Sequence, residues 1–200
     1  MTYRRKDTYH RRARAAGYRA RSAYKLAELA DRFRLLRRGD HVIDLGAWPG
    51  GWLQIAVERI GDEGRAVGVD VVPLEPLPAG NVALIAGDVR DPAVIQAARE
   101  RLGRTADVVL SDLAPKLTGV AATDEARRSE LAASVLAALP HPLRPGGRLL
   151  MKVFMGPDHP ALMAQLREAF DDVKTTRPEA TRPGSAELYA LGFGHRAAQA

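Results

Sequence analysis

The 200-residue sequence contains no cysteine. This absence excludes a disulfide framework, a thiolate nucleophile and any metal site built from cysteine. Aromatic residues make up only 6% of the chain, and the five histidines are scattered without the spacing of metal ligands. No stretch approaches the roughly 20 apolar residues of a membrane span, and the basic N-terminus lacks a signal peptide's apolar run. We therefore expect a cytoplasmic protein that needs neither a membrane nor a metal.

The composition fits one domain with a basic surface. Two hundred residues with 46% hydrophobic content suffice for one sizeable core, and no composition break indicates a second domain. The 30 lysines and arginines exceed the 24 acidic residues, so the net charge is +6. This balance favours a polyanionic partner, above all nucleic acid. We expect the protein to be a monomer.

Positive charge is concentrated before residue 22. Residues 1–21 contain a single acid, Asp7, among interleaved basic and tyrosine side chains: Arg4, Arg5, Lys6, Arg11, Arg12, Arg14, Arg19 and Arg21, with Tyr3, Tyr9 and Tyr18. Basic side chains neutralise phosphates, and tyrosine rings can stack on unpaired bases. We predict a basic, flexible N-terminal segment over 1–21 that binds RNA, followed by a catalytic domain over 22–200. A solvated tail without a binding role is the alternative.

A glycine-rich turn lies at the centre of the sequence pattern. A buried strand is predicted over 41–45, the sequence D-L-G-A-W-P-G-G-W occupies 44–52, and a helix is predicted from Gly51 to about Ile60. Glycines at such a turn let a ligand approach the backbone because no Cβ intervenes. This unit is typical of the start of a doubly wound α/β domain, which binds ligands at the carboxyl ends of its strands.

Four predicted strands end at aspartates, namely Asp44, Asp70, Asp88 and Asp112. A dinucleotide site would require G-x-G-x-x-G with free N–H donors, whereas this turn reads G-x-x-x-G-G and contains Pro49, which has no N–H. Four carboxylates suit a cationic sulfonium nucleoside better than two phosphates. Asp70 is placed to accept from ribose hydroxyls and Asp88 from an adenine amino group. We predict S-adenosylmethionine as the cofactor; helix capping is the alternative role of each aspartate.

The remaining sequence alternates helices and strands. Further helices are predicted over 23–35 with Ser22 as N-cap, from Asp91-Pro92 to about 102, over 123–139 opened by Thr123 or Asp124, and over about 159–170. Further strands are predicted over 66–70, 82–86, 106–112, 148–154, 171–176 and 187–193. Prolines at 73, 76 and 78 exclude a helix after the second strand. The pattern predicts a single Rossmann-like α/β domain with a mostly parallel, seven-stranded sheet flanked by helices.

Together, four stretches resemble the FtsJ family of ribosomal RNA 2′-O-methyltransferases: residues 22–26, 44–52, 111–115 and 151–154. The resemblance extends from about Tyr18 to Phe193. Its most specific part is an ordered set that matches the Lys-Asp-Lys-Glu tetrad of the family: Lys25, Asp112, Lys152 and Glu187. The resemblance implies that Lys152 is the general base, that Asp112 lies near both cofactor and lysine, and that Lys25 and Glu187 orient the ribose and the base.

The resemblance also implies the contacts to S-adenosylmethionine: Gly46, Gly50, Gly51, Trp52, Asp70, Asp88 and Asp112. The turn would hold the methionine end of the cofactor, and no metal is required because the displacement needs alignment rather than a Lewis acid. Two positions depart from the family pattern. Trp48 replaces an expected small residue, so its ring would either narrow the pocket or pack outward, and Lys116 replaces an expected asparagine.

The chemistry explains why a lysine is needed. A ribose 2′-hydroxyl is a poor nucleophile, and its proton must leave as the methyl group is transferred. A lysine buried in an apolar strand is costly unless it is paired or neutral, and a neutral amine could accept that proton. Burial and a nearby Lys25 favour the neutral form of Lys152, whereas Asp112 and Glu187 favour the ammonium. The sequence leaves this balance open.

The implied substrate is a ribose, that of a uridine, in 23S ribosomal RNA of the assembled large subunit. Methylation of transfer RNA, of a messenger cap or of another structured RNA is an alternative within the same fold. A non-catalytic RNA-binding assembly factor is a second alternative, which would leave the tetrad unexplained. A nicotinamide dehydrogenase is the weakest, because the turn has the wrong spacing and a proline where a donor is needed.

Overall fold

The computed structural model describes residues 5–181 and 184–197, with the backbone alone for 5–9. Tyr3 and Arg4 of the predicted RNA-binding segment therefore lie outside the described residues. The helices are α1 (Arg5–Ala15), α2 (Ala23–Phe33), α3 (Gly51–Ile60), α4 (Pro92–Leu102), α5 (Ala121–Ala138) and α6 (His159–Ala169). The strands are β1 (His41–Leu45), β2 (Arg65–Asp70), β3 (Val82–Ala86), β4 (Ala106–Ser111), β5 (Leu143–Phe154), β6 (Phe170–Thr176) and β7 (Glu187–His195).

The strands form one sheet in the order β3-β2-β1-β4-β5-β7-β6. The first five strands in this order are parallel, and β7 runs antiparallel between β5 and β6. This arrangement confirms the predicted mostly parallel, seven-stranded sheet. The chain order reverses between β1 and β4, so a ligand crevice is expected at the carboxyl ends of these two strands.

Helices cover both faces of the sheet. On one face, α2 and α3 contribute a cluster of buried aliphatic side chains that includes Leu26, Leu29 and Leu53. On the other face, α4, α5 and α6 pack on the sheet through residues such as Leu102 and Leu166. The strands that lie between these layers are buried on both sides, which is why they read as continuous apolar runs rather than alternating ones. No helix among the described residues is long and apolar enough to cross a membrane.

Several predicted boundaries hold and others need correction. Asp91 caps α4 by accepting a hydrogen bond from the N–H of Ala93 at 2.9 Å, as predicted. Helix α2 begins after Ser22, but the hydroxyl of Ser22 makes no capping hydrogen bond. The helix also ends at Phe33 rather than 35, because Arg34 adopts a left-handed conformation.

The start of α5 was predicted wrongly. The helix begins at Ala121, so neither Thr123 nor Asp124 is its cap. The carboxylate of Asp124 instead accepts hydrogen bonds from the backbone N–H and hydroxyl of Thr118 and from the N–H of Gly119. These hydrogen bonds, above all those from Thr118, lower the pKa of Asp124. The side chain therefore fixes the loop that follows β4, a role that residue spacing alone does not distinguish from capping.

Candidate active site

Lys152 lies on β5 with its side chain 8% exposed. Its Nζ donates hydrogen bonds to the backbone carbonyl of Asp112 at 2.7 Å and to Asp112 Oδ1 at 3.1 Å. Asp112 directly follows β4, which pairs with β5 in parallel register. Adjacent parallel strands thus bring the second and third members of the predicted tetrad together at the carboxyl edge of the sheet.

The outer two members of the tetrad also meet. Lys25 is buried on α2, and its Nζ forms a hydrogen-bonded ion pair with Glu187 Oε1, although 162 residues separate the two in sequence. Glu187 begins β7, which pairs with the end of β5 so that Glu187 lies opposite Phe154. The structure therefore places the four predicted residues as two lysine–carboxylate pairs.

Tyr189 connects the two pairs, and sequence reasoning did not identify it. Its hydroxyl donates to Asp112 Oδ1 at 2.8 Å and accepts from Lys25 Nζ at 3.3 Å. Burial raises the pKa of Tyr189, and the carboxylates of Asp112 and Glu187 raise it further, so the phenol stays protonated and can donate. Its position two residues after Glu187 on β7 placed it on the same face of the strand, which was an available signal.

Asp44 is a second residue that sequence reasoning left without a specific role. It lies in β1 between Gly68 of β2 and Leu110 of β4, is 0% exposed, and has no hydrogen-bond partner for either carboxylate oxygen among the described residues. Burial raises the pKa of Asp44 well above its ordinary value, and the nearby Asp112 and Asp70 raise it further. A buried carboxyl without a protein partner fits a ligand that brings a positive charge to this point.

Asp70 and Asp88 lie near the same edge. The carboxylate of Asp70 accepts from the backbone N–H groups of Trp48 and Val72, each at 2.9 Å, and so fixes the turn after β1 relative to the end of β2. The carboxylate of Asp88 is paired with the guanidinium of Arg90, and this hydrogen bonding lowers the pKa of Asp88. Each carboxylate retains lone pairs for hydroxyl or amino donors.

The predicted cofactor glycines are required by close packing. Gly46 has φ +84°, and a Cβ there would lie 2.7 Å from the side chain of Leu113 in the loop after β4. A Cβ on Gly51 would lie 3.0 Å from Ala20, and one on Gly50 would lie 3.0 Å from Arg19. The glycines thus allow the turn to approach both the β4 loop and the segment before α2.

That segment, residues 17–22, forms a strap over the turn. The guanidinium of Arg19 donates to the carbonyls of Glu75 and Pro76, both at 2.6 Å, and to that of Pro49 at 3.4 Å. The indole of Trp52, 3% exposed, donates to the carbonyl of Ser22 at 2.9 Å and packs against Tyr189. The structure gives Trp52 a packing role; its predicted contact with the cofactor stays a prediction.

Two cavities open at this edge on either side of the loop after β4. One, of about 360 Å³, is lined by Asp70, Asp88, Leu113 and Pro115 among others, and therefore unites two of the predicted cofactor carboxylates. The other, of about 200 Å³, is lined by Leu113, Pro115 and Lys152 among others. The two cavities share Leu113 and Pro115 of the loop after β4, and Lys152 lines the second cavity only.

The two departures from the family pattern have different outcomes. Trp48 is 56% exposed and is not one of the residues that line the cavity of about 360 Å³. Lys116 is exposed, and its backbone carbonyl accepts from the guanidinium of Arg127 at 3.1 Å.

No group of three or more histidine, aspartate or glutamate side chains that could hold a metal ion occurs among the described residues.

Comparison with known sequences identifies a protein family over most of the chain. A family model described as FtsJ-like methyltransferase matches residues 18–195. A protein of Azoarcus sp. named ribosomal RNA large subunit methyltransferase E is 46% identical over 191 residues, covering 95% of this chain and 92% of the relative. A relative of the same name from Methanothermobacter thermautotrophicus is 41% identical, covering 94% and 90%.

Solved structures agree on the fold. A crystal structure of a protein described as a ribosomal RNA methyltransferase from Plasmodium falciparum superposes with a TM-score of 0.80 and 28% identity, covering 90% of this chain and all of the other. Fibrillarin from Aeropyrum pernix, solved with bound S-adenosylmethionine, has a TM-score of 0.57 at 19% identity, covering 86% and 76%. The second likeness concerns the fold alone.

Proposed function

The chain belongs to the FtsJ-like methyltransferase family, and on that premise we propose that it methylates the 2′-hydroxyl of a ribose in large-subunit ribosomal RNA. The observation that carries this proposal is the arrangement of Lys25, Asp112, Lys152 and Glu187 as two adjoining pairs. S-adenosylmethionine, the methyl donor of this family, supplies an electrophilic methyl group on a sulfonium.

The hydrogen bonds of Lys152 are compatible with the proposed role as the general base. A neutral primary amine has two N–H bonds and one lone pair. Lys152 makes two hydrogen bonds, to the carbonyl and the carboxylate of Asp112, which would use both N–H bonds. The lone pair then occupies the remaining tetrahedral position and can accept the proton of the ribose hydroxyl.

Asp112 and Tyr189 position that amine. The hydroxyl of Tyr189 donates to the same carboxylate oxygen that accepts from Lys152, so it fixes the carboxylate and spreads its negative charge. Lys25 holds Glu187 at the mouth of the cleft, and the carboxylate of Glu187, 16% exposed, can accept from a ribose hydroxyl. These contacts orient the nucleophile and the base before reaction, where alignment contributes most to the rate.

The cofactor fits the residues at the edge of β1 and β2. Asp44 offers a buried, unpartnered carboxyl to a positive charge, and Asp70 and Asp88 line a cavity of about 360 Å³. We propose that Gly46, Gly50, Gly51 and Trp52 hold the methionine end and that Asp112 lies beside the methyl group. An added side chain at Gly50 or Gly51 would crowd Arg19 or Ala20 of the strap.

The names of the relatives support ribosomal RNA as the partner. We propose a uridine within the assembled large subunit as the target, acted on in the cytoplasm by a monomer. The basic N-terminal segment would then contact phosphates. Deletion of residues 1–16 keeps the strap and should weaken RNA binding and its salt dependence without changing cofactor affinity. Equal RNA affinity of the truncated chain would contradict this role.

The proposal is tested by transfer of a labelled methyl group to large ribosomal subunits from cells that lack the modification. We expect the wild type to label one ribose, and Lys152→Ala and Lys152→Arg to lose about a thousandfold in rate, as the loss of a general base predicts, while binding the cofactor normally. Arginine keeps the positive charge but cannot act as a base. Loss of activity in Lys152→Arg would therefore show that proton transfer, rather than the charge of Lys152, is needed. Lys174→Ala, at an exposed strand lysine, is the matched control.

Two results would contradict the proposal. Labelling of a base atom rather than a ribose would show that the 2′-hydroxyl is not the methyl acceptor. Binding of cofactor and subunits without any transfer, with transfer RNA also unlabelled, would favour the non-catalytic assembly factor.

A further inference from the structure

The exposed large hydrophobic side chains among the described residues share one location. They are Trp48, Val71, Val72, Leu117, Val120 and Met155. All of them lie in loops that follow the carboxyl ends of the parallel strands β1, β2, β4 and β5. Such a grouping around a cleft marks an interaction surface, whereas scattered exposed apolar residues do not. We refer to these six residues as the apolar rim.

Trp48 is the largest member of the rim and the one with a flat aromatic face. Its backbone is held firmly, because its N–H donates to Asp70 Oδ2 and the next residue, Pro49, accepts from the guanidinium of Arg19. Its indole, in contrast, is 56% exposed. A rigid backbone that presents a free ring is the arrangement expected of a stacking platform, because little conformational entropy is lost when a second ring stacks on it.

The positive charge on the adjoining segment indicates what would stack on the ring. The guanidinium of Arg19 donates to the carbonyl of Pro49, the residue after Trp48, at 3.4 Å, and the strap continues from α1, where Arg14 is exposed and further arginines precede it. A basic segment that adjoins an exposed aromatic ring suits a nucleotide, since the arginines can contact its phosphates while the ring contacts a base. A protein partner would be matched by an apolar surface without this concentration of one charge sign.

We propose that Trp48 stacks on an unpaired nucleobase of the substrate RNA and that the apolar rim thereby selects single-stranded or looped RNA at the cleft. This inference rests on the proposed function, since it assigns a recognition element to the same RNA. Bases within a duplex are stacked on one another and present no free face, so an RNA helix would not engage the platform.

The two tryptophans of the chain make this directly measurable. Trp48 is exposed and Trp52 is 3% exposed, so a ligand that stacks on the platform should quench the emission of Trp48 and leave that of Trp52. We expect a single-stranded oligoribonucleotide to quench the wild type. The same strand in a duplex, and S-adenosylmethionine alone, should quench much less. The variant Trp48→Phe, which retains only Trp52, should show almost no quenching.

Function is measured on the same variants. Trp48→Leu keeps apolar bulk without a π face, and we expect it to raise the KM for ribosomal subunits about tenfold, as the loss of one stacked base predicts. Trp48→Phe should remain within about threefold of the wild type, and the Kd for the cofactor should be unchanged in both. Lys174→Ala, at an exposed strand residue outside the rim, serves as the control.

Three results would overturn the inference. Equal KM values for the wild type and Trp48→Leu would show that stacking is absent. Quenching by S-adenosylmethionine alone, with weaker cofactor binding in Trp48→Leu, would assign the ring to the cofactor, and equal quenching by duplex would exclude selection of unpaired bases. Failure of the proposed function would look different, since the wild type would then transfer no methyl group to RNA whatever the fluorescence shows.

Discussion

The two edges of the sheet each contain a buried aspartate, but the two carboxyl groups have opposite surroundings. At the amino edge, Asp107 accepts from the backbone N–H of His41 and from the guanidinium groups of Arg104 and Arg144. At the carboxyl edge, Asp44 has no hydrogen-bond partner among the described residues. Both aspartates are nearly inaccessible to solvent, but Asp44 lies deeper, so the difference reflects both burial and neighbours.

The pKa values follow those neighbours. Burial by itself tends to raise the pKa of Asp107, but the hydrogen bonds from His41 and Arg144 and the charge of Arg104 lower it overall. Burial raises the pKa of Asp44, and the carboxylates of Asp112 and Asp70 add to that rise. A second satisfied pair at the amino edge joins Arg148 to Asp40 at 2.7 Å. The amino edge therefore holds charges that stabilise the fold, whereas the perturbed, unpaired carboxyl group of Asp44 is what our proposed ligand site at the carboxyl edge predicts.

The strongest test of this contrast removes a cation from the amino edge. Arg148 is 4% exposed and also donates to the carbonyl of Leu35. Arg148→Met should lower the free energy of unfolding by about 3 kcal/mol, because Asp40 would remain buried without its partner. Denaturant unfolding measures this loss, and the folded fraction should bind S-adenosylmethionine with unchanged Kd. A large change in the Kd for S-adenosylmethionine with little change in stability would show that the amino edge serves ligand binding rather than stability.

A smaller loss of stability is expected when Asp107 is replaced. Asp107→Asn should lower the free energy of unfolding by about 2 kcal/mol at neutral pH, since it weakens charge-assisted hydrogen bonds. The pKa of Asp107 is lowered in the folded state, so its contribution is present above the ordinary aspartate pKa and disappears as pH falls through the lowered value. The wild type and variant should therefore converge in acid. Thermal unfolding from pH 7 to pH 3 checks this, and a constant difference would contradict it.

The opposite pH dependence of stability is expected for Asp44. Because the pKa of Asp44 is raised in the folded state, its favourable contribution is present below the ordinary aspartate pKa and is lost as pH rises. Asp44→Asn should match the wild type in acid and exceed it at neutral pH by about 1 kcal/mol, or roughly 2–4 °C in Tm. The same variant should bind S-adenosylmethionine about tenfold more weakly by calorimetry. If it were instead less stable at pH 7, the contrast between the edges would fail.

The mildest change concerns the hydroxyl that connects the two lysine–carboxylate pairs. Tyr189→Phe keeps the buried ring but removes the donor to Asp112 Oδ1. We expect about a tenfold lower kcat, a KM for subunits and a Kd for the cofactor near those of the wild type, and a small change in stability. Steady-state kinetics with a pH profile measures the effect, and a shifted profile would show that Tyr189 acts through Lys152 and Asp112. An unchanged kcat would show that Tyr189 contributes to packing only.

Much of the fold could be predicted because its signals are local. The apolar runs of β1 to β4, the helix over 51–60 and the cap at Asp91 each depend on fewer than 20 consecutive residues. The boundaries that were wrong depend on backbone conformation or on contacts that residue spacing does not show. Leu143 pairs with Ala106, so β5 begins before the Pro145–Gly147 turn, and Asp124 serves the loop after β4 rather than its own helix.

The sequence by itself determined the fold class and the cofactor, because periodicity and motifs are written in short stretches of chain. It also predicted Lys25, Asp112, Lys152 and Glu187 as the site residues, through their resemblance to the family tetrad. Only the tertiary structure decided how these residues pair, since Lys25 and Glu187 are 162 positions apart. The tertiary structure likewise brought Tyr189 between the pairs, left Asp44 without a partner among the described residues and left Trp48 exposed. Burial and hydrogen-bond satisfaction depend on which distant segments meet, and no local pattern records that.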